Sequence, residues 1–135
     1  MAIITLSRQV AAHGDEIAKK ISESLGYTFI KRTDIEKRII DLGFAKEKLP
    51  KYDERKPGFF ASISKGMSEY INLTRYAVLE VASQNNVVII GRGSTHIFQG
   101  IQNQVGIRFV APMKTRIERL MKEFAWTEKQ AIQRI

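Results

Sequence analysis

Residues 3–21, IITLSRQVAAHGDEIAKKI, place an apolar run, a short turn and the start of a helix in the order found in phosphate-binding loops. In the pattern G-x-x-x-x-G-K-[ST], backbone N–H groups surround the phosphates, the lysine reaches the outer phosphates and the hydroxyl holds magnesium. Aligned on Gly14, the other three positions of that pattern hold Gln9, Asp15 and Glu16. The segment therefore has the outline of a phosphate loop but carries carboxylates where the cation and the hydroxyl belong.

These carboxylates allow two interpretations. A carboxylate about 5 Å from a phosphate would oppose each phosphate charge by roughly 3 kcal/mol at an effective dielectric constant of about 20. Acidic side chains in a first helical turn also interact favourably with the helix dipole, which would make them purely structural. If the loop binds phosphate, the predicted contacts are the turn and the first helical residues, Ser7, Gln9, Ala11, Ala12, His13, Gly14, Asp15 and Glu16.

Two arginines are the best-placed cations for an anionic ligand. Arg8 follows the first apolar run and could replace the missing lysine, although simple exposure explains it equally well. Arg92 follows the apolar run VVII, where a guanidinium could hold a phosphate through two hydrogen bonds or could instead pair with a nearby carboxylate. We predict Arg8 and Arg92 as the catalytic cations.

A second group of residues is predicted to contact a phosphate acceptor. They follow the second and third predicted strands, and they are Arg32, Asp34, Gly91, Arg92 and Gly93. Asp34 is the carboxylate of this group that could accept a hydrogen bond from a base or a ribose.

Three further basic residues lie on the helix predicted after the fourth strand. Arg116, Arg119 and Lys122 could approach phosphates as the arginines of a kinase lid do. Their spacing of three residues, with Glu118 and Glu123 between and beside them, more simply predicts a solvated face, and we favour that interpretation.

The elements that position these residues alternate between strand and helix. Strands are predicted at residues 2–6, 27–30, 87–90 and 105–112, the third of them central because its apolar run is continuous. A helix with Ile17, Ile21 and Leu25 toward the core ends at Gly26, and a second helix is capped by Thr33. A charged segment over 42–60 precedes a long amphipathic helix over 61–83. Pro112 is predicted to open a further helix, and Thr127 to cap a last one. This alternation indicates an α/β fold whose ligands bind beyond the carboxyl ends of a mostly parallel sheet.

Several segments in order resemble the cytidylate kinase-like family, relatives of the bacterial cytidylate kinases. They are ITLSRQVAAHGDEIAKKISESLGYTFIKR, YDERKPGFF, VVIIGRGSTHIF and VGIRFVAPMKTRIERLM. The resemblance implies a three-layer phosphate-loop kinase fold with a parallel sheet and a lid, and transfer of the γ-phosphate of ATP to a nucleoside monophosphate with Mg²⁺ as cofactor. Ser7, Arg8 and Gln9 match the family's S-R-Q turn. Arg92 matches the arginine of its Gly-Arg-Asp motif, which implies contact with the acceptor phosphate, while Gly93 replaces the aspartate.

The end of the chain suggests a departure from that family. Relatives continue beyond TEKQAIQRI with an arginine-bearing lid, a fifth strand and a last helix, in a sheet of order 2-3-1-4-5. We therefore expect residues 1–135 to form a single, C-terminally incomplete domain with strand order 2-3-1-4, the fifth strand and most of the lid being missing. The exposed fourth strand predicts association of the chain with itself, because an uncovered strand edge invites pairing.

Composition limits the classes of partner. The chain has no cysteine and only two histidines, which excludes disulfides and cysteine-ligated zinc. No apolar run is long enough for a membrane span, and no signal peptide is recognisable, so we expect a cytoplasmic protein. The net charge of +8 favours anionic partners, nucleotides first. Nucleic acid ranks last because aromatic residues do not alternate with the basic ones. The alternative to an enzyme is a non-catalytic module that senses a nucleotide or binds a protein.

Overall fold

The computed structural model describes residues 1–52 and 66–135. Its four strands are β1 (Ile3–Arg8), β2 (Thr28–Ile30), β3 (Val87–Ile90) and β4 (Gln104–Phe109). Its helices are α1 (Gly14–Leu25), α2 (Arg32–Asp41), α3 (Met67–Ala82), α4 (Ser94–Ile97), α5 (Met113–Phe124) and α6 (Glu128–Arg134), with a 3₁₀ helix at Lys46–Tyr52. The predicted segment 42–60, the YDERKPGFF motif and the first residues of the predicted helix 61–83 lie wholly or partly outside the described residues.

All strand pairs are parallel, and the order is β2-β3-β1-β4. Ile3 of β1 lies beside Val87 of β3 on one side and Gln104 of β4 on the other. The predicted order is confirmed, and β3 is an inner strand with all four residues buried, as its continuous apolar run predicts. The carboxyl ends of the adjacent strands β1 and β3 therefore lie side by side.

The two faces of the sheet carry separate cores, which makes the fold three-layered. Val87 and Ile89 belong to a larger core with Ile35, Ile39 and Val78 from α2 and α3. On the other face, Leu6, Val88 and Ile90 pack with Ala18 of α1. Alternation of side chains along β3 thus splits four consecutive apolar residues between two cores.

The predicted inward face of α1 is correct only for Ile21, which packs against the core beside Ala18. Ile17 and Leu25 are 37% and 50% exposed, whereas Gly14, Ala18 and Ser22 are the buried positions. The small side chains at these buried positions let the helix approach the sheet closely. The helix ends as predicted at Gly26, whose φ of 66° is readily adopted by glycine.

One of the two predicted helix-capping residues is wrong, and the other is confirmed. Lys31, and not Thr33, caps α2, and Asp34 accepts a hydrogen bond of 2.8 Å from the Lys31 backbone N–H. Thr127 caps α6 as predicted, with Gln130 completing the reciprocal pair of hydrogen bonds.

The apolar spacing of α3 predicts its core face only in part. Val78 and Ala82 are buried as that spacing predicts, whereas Ile71 and Leu79 are 53% and 37% exposed. The more polar Tyr70 and Thr74 are buried instead. Helices α2 and α3 are also joined by a two-point ion pair, in which Nε and Nη2 of Arg38 donate to the Glu80 carboxylate at 2.5 and 2.6 Å. No helix within the described residues has the length and apolar character needed to cross a membrane.

Candidate functional site

A cavity of about 710 Å³ opens where β1 and β3 end. Its walls come from the turn after β1, the start of α1, the turn after β3, the start of α2 and the C-terminal half of α5. This is the edge of a parallel α/β sheet at which ligands bind, and the volume suits a nucleotide-sized molecule.

The turn after β1 is held in an unusual backbone conformation. Ala11 and His13 have φ values of 60° and 57°, in the left-handed region that costs non-glycine residues energy. Gln9 fixes the turn to β4 by donating from its backbone N–H to Phe109 and accepting from the Ala111 backbone N–H at 3.1 Å. The turn then leads directly into the N-terminal end of α1, a 12-residue helix whose free N–H groups favour anions.

Gly14 is required at the start of α1 by close packing. A Cβ on Gly14 would lie 2.6 Å from Cβ of Arg8, closer than side chains tolerate. The stem of Arg8 therefore crosses the start of the helix. Its guanidinium reaches Gly91 of the neighbouring strand end, because a Cβ on Gly91 would lie 3.0 Å from Nη1 of Arg8.

Both carboxylates at the start of α1 have cationic or hydrogen-bonding partners. Asp15 pairs with Arg8 at 3.2 Å, and Glu16 contacts Nδ1 of His13 at 3.2 Å. A hydrogen bond from its own backbone N–H, and then the one with His13, lower the pKa of Glu16. The loop thus neutralises part of its own negative charge.

Two arginines of α5 bind the carbonyl groups of the turn. Nε of Arg116 donates to the carbonyl of Val10 at 2.7 Å, and Nη1 of Arg119 donates to that of Ala11 at 2.8 Å. Arg116 is only 7% exposed. The prediction of a solvated face is therefore wrong for these two residues, while Lys122 is exposed as that prediction requires.

The position of Arg116 on the apolar face of α5 could have indicated its buried contact, although the spacing of charges did not. Arg116 lies four residues before Leu120, and these are the two buried positions of α5. An arginine on the apolar face of an amphipathic helix needs acceptors inside the protein, and the strained turn supplies a carbonyl.

The turn after β3 displays Arg92. Gly91, Arg92 and Gly93 all have positive φ, at 75°, 56° and 67°. Nη1 of Arg92 donates to the hydroxyl of Tyr70 at 2.8 Å. Arg92 borders the main cavity and also a second one of about 390 Å³, lined among others by Gly93 and Thr74. The buried Thr74 hydroxyl has no hydrogen-bond partner among the described residues.

The predicted site residues divide into two groups. Those that border the main cavity are Arg8, Gln9, Ala11, Ala12, His13, Gly14, Asp15, Glu16, Arg32, Gly91 and Arg92. Ser7, Asp34 and Gly93 are not among its lining residues; Asp34 caps α2, and Arg32 pairs with Glu36 within that helix. Within residues 1–52 and 66–135, no cluster of three histidine or acidic side chains forms a metal site.

Comparison with known proteins places this geometry in context. The model of a family described as the cytidylate kinase-like family matches residues 3–135. An uncharacterized protein of Eubacterium ventriosum superposes with a TM-score of 0.72 at 19% identity, over 98% of this chain and 70% of that one. Shikimate kinase of Bacteroides thetaiotaomicron superposes with a TM-score of 0.57 at 17% identity, over 98% of this chain and 76% of that one. A gluconokinase of Sinorhizobium meliloti superposes with a TM-score of 0.56 at 12% identity, over 99% of this chain and 74% of that one. The sequence matches none of the curated proteins. At these identities the structures show that the fold is shared.

Proposed function

Because the chain belongs to the cytidylate kinase-like family, we propose that it is a phosphotransferase that binds ATP at the turn 9–13 and transfers its γ-phosphate to a nucleoside monophosphate. The observation that carries the proposal is the convergence of Arg8, Arg92 and Arg119 on one cavity at the carboxyl ends of β1 and β3.

The donor phosphates would lie against the start of α1. There the helix N-terminus supplies N–H groups and favourable dipole, and Arg8 and Arg119 supply positive charge from two sides of the turn. Arg116 acts as a positioning residue, because its hydrogen bond to the Val10 carbonyl fixes the turn without contact with the cavity.

The acceptor would be held on the β3 side. The Arg92 guanidinium would hold its phosphate, and the organic part of the acceptor would extend into the second cavity, where the buried Thr74 hydroxyl has no hydrogen-bond partner within residues 1–52 and 66–135. An acceptor phosphate oxygen would then bond to the γ-phosphorus as the bridging oxygen to the β-phosphate leaves with ADP. Such transfers depend mainly on positioning and on neutralising charge, which arginines on both sides of the cavity provide.

Magnesium would enter this site with the nucleotide. Mg²⁺ is typically held by one or two carboxylates together with substrate phosphates, and the Glu16 carboxylate borders the cavity beside the turn. The residues present therefore fit such an ion, which would neutralise charge on the phosphates.

A second candidate function is a nucleotide-binding module without catalysis. It is favoured by the ion pair between Arg8 and Asp15, which occupies one of the two arginines predicted to be catalytic, and by the carboxylate that stands in place of the usual lysine. This alternative keeps the cavity and the fold but predicts no acceptor-dependent turnover.

A coupled assay for ADP separates the two. ATP and Mg²⁺ are supplied with CMP, dCMP, UMP, AMP or GMP, and Arg92→Ala is compared with Arg108→Ala, which removes an equal charge from an exposed position on β4. ADP formation that requires one monophosphate and is lost only in Arg92→Ala supports the kinase. ATP binding without acceptor-dependent ADP supports the module, and no ATP binding refutes both.

A further inference from the structure

Two stacked aromatic rings border the same cavity as the phosphate-binding turn. Phe124 is the last residue of α5, and Trp126 lies in the connection to α6. Their ring centroids are 4.7 Å apart with an angle of 25° between the planes. Phe124 is nevertheless 49% exposed, so the pair is not buried in a core.

The position of the pair relative to the turn is set by helix geometry. Arg119 contacts the Ala11 carbonyl, and Phe124 follows five residues later on the same helix. At 1.5 Å of rise per residue the two positions are about 7.5 Å apart along the helix axis, and both side chains border the cavity. A ribose separates the phosphates of a nucleotide from its base by a similar length, so phosphates at Arg119 would bring the base to the aromatic pair.

We propose that Trp126, braced by Phe124, is the surface on which the base of the bound nucleotide stacks. This inference rests on the proposed function, and it adds the contact for the base of the donor, for which the phosphate contacts do not account. Aromatic side chains accept any base, because every base has a π-face, and such stacking strengthens binding by roughly tenfold or more. The aromatic surface should therefore make a nucleoside polyphosphate bind more tightly than a bare polyphosphate, and it should discriminate little among bases.

Trp126 reports on its own ligand, because it is the only tryptophan in the chain. Its fluorescence is followed during titration with ATP and, separately, with inorganic tripolyphosphate, which carries the phosphates without a base. We expect ATP to quench the emission and tripolyphosphate to bind with little quenching. Equal changes with the two ligands would overturn the proposal.

Calorimetry on two variants provides the independent test. Trp126→Leu is expected to lower ATP affinity about tenfold while tripolyphosphate affinity stays unchanged, and Trp126→Phe is expected to keep most of the ATP affinity. A parallel loss for both ligands would show that Trp126 only supports the connection between α5 and α6. If Trp126→Leu does not fold, the wild-type comparison of the two ligands still decides.

The outcomes separate this proposal from the function on which it rests. Tripolyphosphate binding without any preference for ATP would refute the stacking surface and leave the phosphate site standing. Failure of the wild-type chain to bind either ligand would refute the phosphate site and the stacking surface together.

Discussion

Replacing Asp15 by Asn should tighten ATP binding by about tenfold. Asp15 lies in the first turn of α1, so a phosphate at the helix start would be about 5 Å from its carboxylate. Its side chain is 64% exposed, which places the effective dielectric constant nearer to water than to the interior. Coulomb's law then gives about 1 kcal/mol of repulsion per phosphate charge, or about fivefold in affinity. Release of Arg8 from its 3.2 Å ion pair with Asp15 adds to this gain.

Glu23→Gln is the matched control for Asp15→Asn. It removes the same charge from the same helix, but Glu23 pairs with Lys19 and does not border the cavity. Calorimetric titration with ATP at two salt concentrations should show tighter binding for Asp15→Asn alone, with a smaller gain at high salt because mobile ions screen exposed charges. An unchanged or weaker affinity for Asp15→Asn, or an equal gain for Glu23→Gln, would refute a phosphate site at the helix start.

Three further predictions concern other contacts of the fold and the site. Arg92→Ala should weaken monophosphate binding by about 2 kcal/mol with little change in the thermal melt, and unfolding instead would mark Arg92 as structural. Arg116→Met should destabilise the chain by about 1–3 kcal/mol in denaturant titration, because the carbonyl of Val10 loses a buried donor; an unchanged midpoint would contradict this. The hydrogen bond from Arg38 lowers the pKa of Glu80, so its stabilisation should be fully present above the ordinary glutamate pKa of about 4.3 and be lost as the pH falls through the lowered pKa. Melts at decreasing pH should therefore show a steeper loss for wild type than for Arg38→Met.

The sheet was predictable because its information is local. Val87, Val88, Ile89 and Ile90 form a run typical of a strand covered on both faces, and Gly91 follows it. The sequence pattern likewise indicated both turns that border the cavity. The sheet order followed from the family resemblance and not from the pattern of residues.

The missed features depend on contacts between distant residues. Arg116 and Val10 are 106 positions apart, so charge spacing within α5 could not show that a carbonyl would receive this guanidinium. Ile17 was assigned to the core because it is apolar, yet α1 packs through Ala18, whose small size allows close approach to the sheet. The pairing of Arg8 with Asp15 similarly required the path of the turn, which left-handed Ala11 and His13 determine.

In the proposed function, the turn 9–13 and the start of α1 hold the nucleotide phosphates. A crystal structure of the chain with ADP and Mg²⁺ tests this most directly. Density for the diphosphate is expected at the N-terminal end of α1, between Arg8 and Arg119, with the base against Trp126. A nucleotide bound elsewhere, or a cavity that stays empty at saturating ADP, would contradict it.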